Sequence, residues 1–223
     1  MSLHHSPKIV TNGLVLCLDA ANKKSYSGSG TIWKDLAGSN NGTLINAPTY
    51  SSANGGSIVF DGANDFVQCL ESLTVTAATF VTWIRRNGSQ GTYDGILFSR
   101  GTTNTTGMSF YAFNQLGYTW NDAYDTYHWN SGLTIPDLTW CMVAISVTST
   151  AATAYLCESN RITSATNTVS HSSSLLDDIK IGVDEYENRC FTGNIATAMI
   201  YNRALSANEI SQNYNALKGR FNL

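Results

Sequence analysis

The sequence predicts an all-β protein, a jelly-roll β-sandwich of two antiparallel sheets with one short carboxy-terminal helix. Three observations predict it. Apolar runs of strand length recur about every ten residues between turn-forming residues, the rhythm of a sandwich or barrel. Charged residues make up only 13% of the 223 while Ser, Thr, Asn and Gly abound, a composition suited to strands and turns and not to a helical bundle. Good helix signals occur only near the carboxy terminus, so two sheets must bury each other.

The elements follow in chain order. Residues 14–18, Leu-Val-Leu-Cys-Leu, form an unbroken apolar run fit for a strand buried on both faces. Residues 57–60 and 66–69 flank an Asp61-Gly62 turn, and further strands are expected at 80–85, 95–98, 108–113, 116–120, 140–148, 154–157, 179–182 and 193–201. Between them Asn41-Gly42, Gly55-Gly56, Asn87-Gly88, Asp94-Gly95 and Ser131-Gly132 accept positive φ at little cost. After the last strand, Asn202-Arg203-Ala204-Leu205 turns the chain. Ser206-Ala207-Asn208-Glu209 then has capping-box spacing, with Leu205 and Ile210 placed to close a hydrophobic staple. Ile210, Tyr214 and Leu217 recur at helical spacing, and Gly219 offers a left-handed stop.

No linker or charge run divides the chain, so a single domain is expected over residues 12–223. Residues 1–11 have too few apolar side chains for a core and are expected to form an arm that contacts a neighbouring subunit. The net charge of −3 leaves no footprint for nucleic acid or an anionic membrane. No apolar run approaches the roughly 20 residues of a membrane span, and residues 1–8 lack the apolar stretch of a secretory signal. A soluble chain made in a cytoplasm is expected. Cys17, Cys69, Cys141, Cys157 and Cys190 are odd in number and lack metal-ligand spacing, so buried thiols are expected. His4-His5 is a terminal pair expected to be solvated.

Five ordered motifs carry a family resemblance. Trp33-Lys34-Asp35-Leu36, Asn40-Asn41-Gly42-Thr43-Leu44, residues 57–67, residues 79–84 and Ile200-Tyr201-Asn202-Arg203-Ala204-Leu205-Ser206 resemble the successive motifs of laminin-G-like domains, within the concanavalin A-like lectin and glucanase superfamily. The opening 4–22 and the close 213–221 are similar to the version found in virion proteins of tailed phages, cyanophages among them. The resemblance implies a jelly roll that binds glycans or proteins or serves as a packing module. The expected function is therefore a non-catalytic virion structural protein, as a tail appendage or capsid decoration. Its expected partners are other phage virion proteins and a host surface polysaccharide, and its expected place is the virion. A dedicated lectin and a glucanase-type hydrolase are the alternatives.

Three constellations bear on that function. The turn 61–65 places Asp61, Asn64 and Asp65 close together, hard oxygen donors of the kind calcium prefers. The resemblance implies calcium on such a loop in some relatives, with an acid after the Gly-x-Ile of the last strand, where this chain has Ala196. The same turn also closes without an ion, as an Asx-stabilised hairpin. No cofactor is otherwise required. Asp19 and Asp35 are further oxygen donors that suit turn caps.

The second constellation is the tract 118–129, where Tyr118, Trp120, Asp122, Tyr124, Asp125, Tyr127 and Trp129 are candidate glycan-binding residues. Aromatic faces cover sugar C–H surfaces while carboxylates and amides take the hydroxyls. Trp120 and Trp129 equally suit sandwich packing, and Trp33, Trp83 and Trp140 sit in apolar strand contexts expected to be core. The third, Asp184-Glu185-Tyr186-Glu187, is the nearest match to an acidic hydrolase strand but lies in a loop context out of phase, so no catalytic residue is expected. His128 and His171 lie in polar surroundings, the latter in a serine tract, 170–174, expected to be a mobile turn.

Overall fold

The computed structural model describes residues 7–101, 105–184 and 189–223. Its strands are β1 (Leu14–Asp19), β2 (Ile32–Trp33), β3 (Gly42–Ile45), β4 (Thr49–Ser51), β5 (Ser57–Asp61), β6 (Phe66–Val75), β7 (Ala78–Arg86), β8 (Gly95–Arg100) and β9 (Thr105–Tyr111). They continue with β10 (Gln115–Thr119), β11 (Cys141–Val147), β12 (Ala152–Glu158), β13 (Arg161–Asn167), β14 (Ser174–Ile181), β15 (Val183–Asp184), β16 (Arg189–Cys190) and β17 (Thr192–Tyr201). A helical turn, α1, spans Tyr124–Tyr127, and the long helix, α2, spans Ala207–Leu217.

Two antiparallel sheets face each other, as expected. One runs β13-β12-β11-β7-β17-β5-β4, with β1 also pairing β17 to make eight strands. The other runs β10-β9-β8-β14-β6-β3-β2, and β15 with β16 forms a separate two-stranded ribbon. All eleven anticipated strand positions hold strands. The unanticipated β13, Arg-Ile-Thr-Ser-Ala-Thr-Asn, is a polar edge strand whose stability comes from pairing with β12 and not from an apolar face.

Period-two alternation sorts the side chains. On β7, Phe80 and Ile84 point into the inner core between the sheets, whereas Val81 and Trp83 point outward. The outward row would be a bare apolar face, and α2 covers it. Ile210 and Tyr214 are buried there, Trp83 stacks on Tyr214 at 5.5 Å and on Phe221 at 4.3 Å, and Trp140 lies 4.6 Å from Phe221. Leu16 and Leu18 of β1 face the inner core and Cys17 the outer one, so that strand is buried on both sides.

The capping box is present in full, with Ser206 Oγ accepting from Glu209 N–H and the Glu209 carboxylate accepting from Ser206 N–H. Arg203, first, and the Ser206 backbone hold the Glu209 carboxyl down to about 2. The expected stop at Gly219 is wrong. The chain continues as a 3-10 turn, Lys218–Phe221, and the left-handed residue is Asn222 (φ 59°). That extra turn brings the Phe221 ring onto Trp83. Near the amino terminus Val10 is buried in the outer core, its N–H donating to Asn213 Oδ1 and its carbonyl accepting from the Tyr201 hydroxyl. Residues 1–6, with His4-His5, lie outside the described residues.

Two anticipated turn glycines serve close approach instead. A Cβ on Gly42 would lie 2.5 Å from Val67, and one on Gly95 would lie 2.2 Å from the Asp184 backbone. The second contact presses β15 onto β8 and so shapes the site described next. All five cysteines are buried outside any disulfide. Burial pushes the thiols of Cys17 and Cys157 up to about 12 and raises those of Cys141 and Cys190, so they pack as small apolar groups.

Candidate functional site

The tract 118–129 leaves the edge strand β10 and folds back over it. Tyr118 faces the inner core, so its neighbour Thr119 faces the opposite side of the sheet. Asn121 (φ 52°) and Asp122 (φ 56°) then reverse the chain with two successive left-handed residues, a conformation Asn and Asp tolerate better than most. α1 follows, and Thr126 anchors it. The buried Thr126 hydroxyl donates to Ala123 carbonyl at 2.7 Å and accepts from Trp120 N–H at 3.0 Å. Asn167, at the end of β13, donates to the Asp125 carbonyl at 2.8 Å and to the Tyr118 hydroxyl at 3.0 Å. The loop is thus tied to both sheets.

Beside this loop lies a cleft of about 450 Å3. One wall is Thr105, Thr119, Asp122 and Tyr127, and the other is Tyr93, Arg100, Asp184 and Arg189. Thr105 and Thr119 stand on strands whose alternate residues, Met108, Phe110, Leu116 and Tyr118, fill the inner core. The cleft therefore sits on the face of the seven-stranded sheet turned away from its partner sheet. Asp184, almost wholly buried, receives Arg100 Nε on one carboxylate oxygen and an Arg189 nitrogen at 3.1 Å on the other. The Arg189 guanidinium lies 4.9 Å above the Tyr93 ring, within cation–π reach. Tyr93 meets Tyr127 edge-on at 6.1 Å, joining the two walls. Burial raises the Tyr93 hydroxyl above its usual value, with Arg189 opposing, so the phenol stays a neutral donor and acceptor.

Of the seven tract residues singled out by sequence, the structure brings Asp122 and Tyr127 into the cleft and leaves Tyr124 and Asp125 exposed beside it. Tyr118 and Trp120 are corrections. Both are 1% exposed, with Trp120 Nε1 donating to Ser172 carbonyl at 2.7 Å and the Tyr118 hydroxyl 3.0 Å from His171 Nε2, so they are core and cannot touch a ligand. Trp129 is half-buried and packs edge-on against Tyr118 at 5.7 Å. His171 is corrected too. It is buried, and its serine tract is pinned by Asn121 and Trp120 and feeds into β14.

Sequence reasoning missed Tyr93, Arg100, Thr105, Thr119 and Arg189. No local signal marks them, because they converge only through the β8–β9, β9–β10 and β8–β14 registers and the ribbon that follows β14. Asp184 belongs to the acidic motif considered for hydrolysis, and both of its oxygens face arginines; Glu185 and Glu187 lie outside the described residues.

In the turn 61–65, Asp61 Oδ1 accepts from Ala63 N–H at 2.8 Å and Asp65 Oδ2 accepts from Asp61 N–H at 3.2 Å. Asp65 is buried, which raises its pKa above the ordinary 3.8 against the pull of that N–H. One oxygen of each carboxylate thus closes the turn in the Asx manner. Among the described residues, no group of three or more His, Cys, Asp or Glu is gathered to hold a metal ion. Asp19 and Asp35 accept from nearby backbone N–H groups, as caps do. Trp33 and Trp83 are fully buried, and Trp140 is half-buried over Phe221.

The two-sheet architecture can be matched against known proteins. A family model described as the concanavalin A-like lectin/glucanases superfamily matches residues 60–211. The chain belongs to this superfamily. Among curated proteins, none matches it. Among solved structures, domain 4 of a GH43 extracellular arabinanase from Geobacillus stearothermophilus, in complex with arabinotriose, is similar with a TM-score of 0.65 at 17% identity, over 91% of this chain and 98% of that one. Trypanosoma rangeli sialidase in complex with the inhibitor DANA gives 0.65 at 15% identity, over 96% of this chain but 35% of the sialidase. The binding domain of botulinum neurotoxin serotype G gives 0.65 at 14% identity, over 90% of this chain and 50% of that one. The chain thus spans about a third of the sialidase and half of the toxin domain. At these identities the likeness is one of fold.

Proposed function

We propose that this lectin/glucanase-type domain is a non-catalytic glycan-binding module, carried on the particle of a tailed phage as a tail appendage or capsid decoration. The cleft carries the glycan part of the reading. It combines two tyrosines, two threonines, two guanidinium groups and the exposed carboxylate of Asp122, the mixture of aromatic and hydrogen-bonding groups that sugars require. The arabinanase domain, solved with arabinotriose, is a module of the same fold and nearly the same extent. Non-catalytic action is supported by Asp184, one of the two carboxylates lining the cleft, whose oxygens are both engaged by arginines in place of the acid, base or nucleophile role that glycoside hydrolysis gives each carboxyl group of its pair. The phage setting, with virion proteins as partners and the virion as location, rests on the similarity of segments 4–22 and 213–221.

The test is an array of bacterial capsular and O-antigen polysaccharides probed with the wild-type chain and Tyr127→Ala. Binding by the wild type, weakened about tenfold or roughly 1.4 kcal/mol by the substitution, is expected. An array without signal, or binding indifferent to Tyr127, defeats the glycan reading. Release of reducing sugar from any bound polysaccharide defeats its non-catalytic half. A density map of phage particles lacking this chain defeats the virion part.

A further inference from the structure

Four tyrosines form an unbroken file across the cleft. Tyr111 lies 6.2 Å from Tyr93, Tyr93 lies 6.1 Å from Tyr127, and Tyr127 lies 5.7 Å from Tyr124, all as ring centroids. Tyr93 and Tyr127 are walls of the cleft, while Tyr111 and Tyr124 stand beyond it on either end of the file. Tyr111 ends β9 on the same sheet face as Thr105, so the outer ring and the cleft open in one direction. A file of four rings outreaches a single sugar.

The outermost ring shows the same design from its energetics. Tyr124 is 65% exposed, yet it stacks on His128 at 4.0 Å and meets Tyr127 edge-on. Exposure of that much aromatic surface forgoes the stabilisation that burial gives. Its position is nevertheless held by neighbours and by the Thr126 anchor beneath α1. A rigid, exposed aromatic ring loses little conformational freedom when it meets a ligand, which is what a contact platform needs.

Resting on the glycan reading above, we infer that the file binds an internal stretch of polysaccharide several sugar units long. Tyr93 and Tyr127 take the central units, and Tyr124 and Tyr111 are outer subsites to either side. The ligand class is a continuous chain, not a chain end or a lone monosaccharide. Each ring that contacts a successive unit adds affinity, so binding grows with ligand length until the file is filled.

The experiment uses each polysaccharide that binds on the array, hydrolysed and fractionated by size from single sugars upward, with affinities measured by calorimetry on the full chain. Affinity is expected to climb with length and level off at about four units, one per ring. Tyr124→Ala is expected to weaken the longer fragments about tenfold while leaving single sugars and disaccharides unchanged, and Tyr124→Phe, which keeps the ring, to bind as the wild type does. Tyr127→Ala weakens every length. Affinity that does not depend on length, or a Tyr124→Ala loss shared equally by all lengths or absent from the longest, overturns the inference and leaves the glycan reading standing. Failure of every polysaccharide to bind overturns both.

Discussion

Two aromatic clusters of this protein have similar chemistry and different surroundings. In the carboxy-terminal clamp, Trp83, Tyr214, Phe221 and Trp140 stack between α2 with its 3-10 extension and the outer face of the eight-stranded sheet. Around the cleft, Tyr111, Tyr93, Tyr127 and Tyr124 meet mostly edge-to-face and remain open to solvent in part. The difference teaches that ring content says nothing about role until burial is known. A sealed cluster stabilises the fold through the area it removes from water, whereas an open one keeps that area for a partner.

The largest expected effect contrasts the two directly. Phe221→Ala removes a buried ring that closes the outer core and should destabilise the protein by about 3 kcal/mol in urea or guanidinium unfolding. Tyr124→Ala should change stability by less than about 0.5 kcal/mol, because the ring is mostly exposed. Equal losses from the two variants would erase the distinction between clamp and platform.

A smaller effect is expected at the start of α2. Ser206→Ala deletes the side-chain acceptor of the capping box and should cost about 1 kcal/mol in the same assay. Because the clamp lies on the far side of the molecule's core from the cleft face, glycan affinity should not move. A change in binding would mean that the two regions are coupled.

The smallest effect is a pH dependence beneath the tyrosine loop. Burial lowers the pKa of His171 below its ordinary 6.5, with the Thr148 backbone opposing. Its ring faces the Tyr118 hydroxyl at 3.0 Å and packs against Trp120, while its backbone N–H donates to Ser149 carbonyl; Tyr118 is the titratable side chain in contact with it. Between the lowered value and 6.5 the unfolded chain binds a proton that the folded chain does not. The contribution is therefore complete above about pH 6.5 and is lost as pH falls through that window. Melting temperatures followed from pH 7 to 5 should drop more for wild type than for His171→Gln. A parallel decline in both chains would remove His171 as the cause.

Strand positions were legible because apolar runs and turn residues are local signals. β13 was not, since Thr and Ser on both faces leave no alternation to detect, and only its partner β12 makes it a strand. Of the cleft, Asp122 and Tyr127 were legible through the aromatic and acidic tract. Tyr118 and Trp120 belong to the same tract and were misplaced, because composition cannot tell which side chains of an edge strand turn toward the opposing sheet.

By itself the sequence determined the strand rhythm, the capping box at Ser206 and the staple of Leu205 on Ile210, all of which depend on residues a few places apart. Only the tertiary structure decided that Tyr93, Arg100, Asp184 and Arg189 share one cleft with Tyr127. These residues are spread over nearly a hundred positions, and strand register together with the close approach at Gly95 brings them together. Local order follows from near neighbours along the chain, whereas a binding surface is assembled from residues that become neighbours only when both sheets have formed.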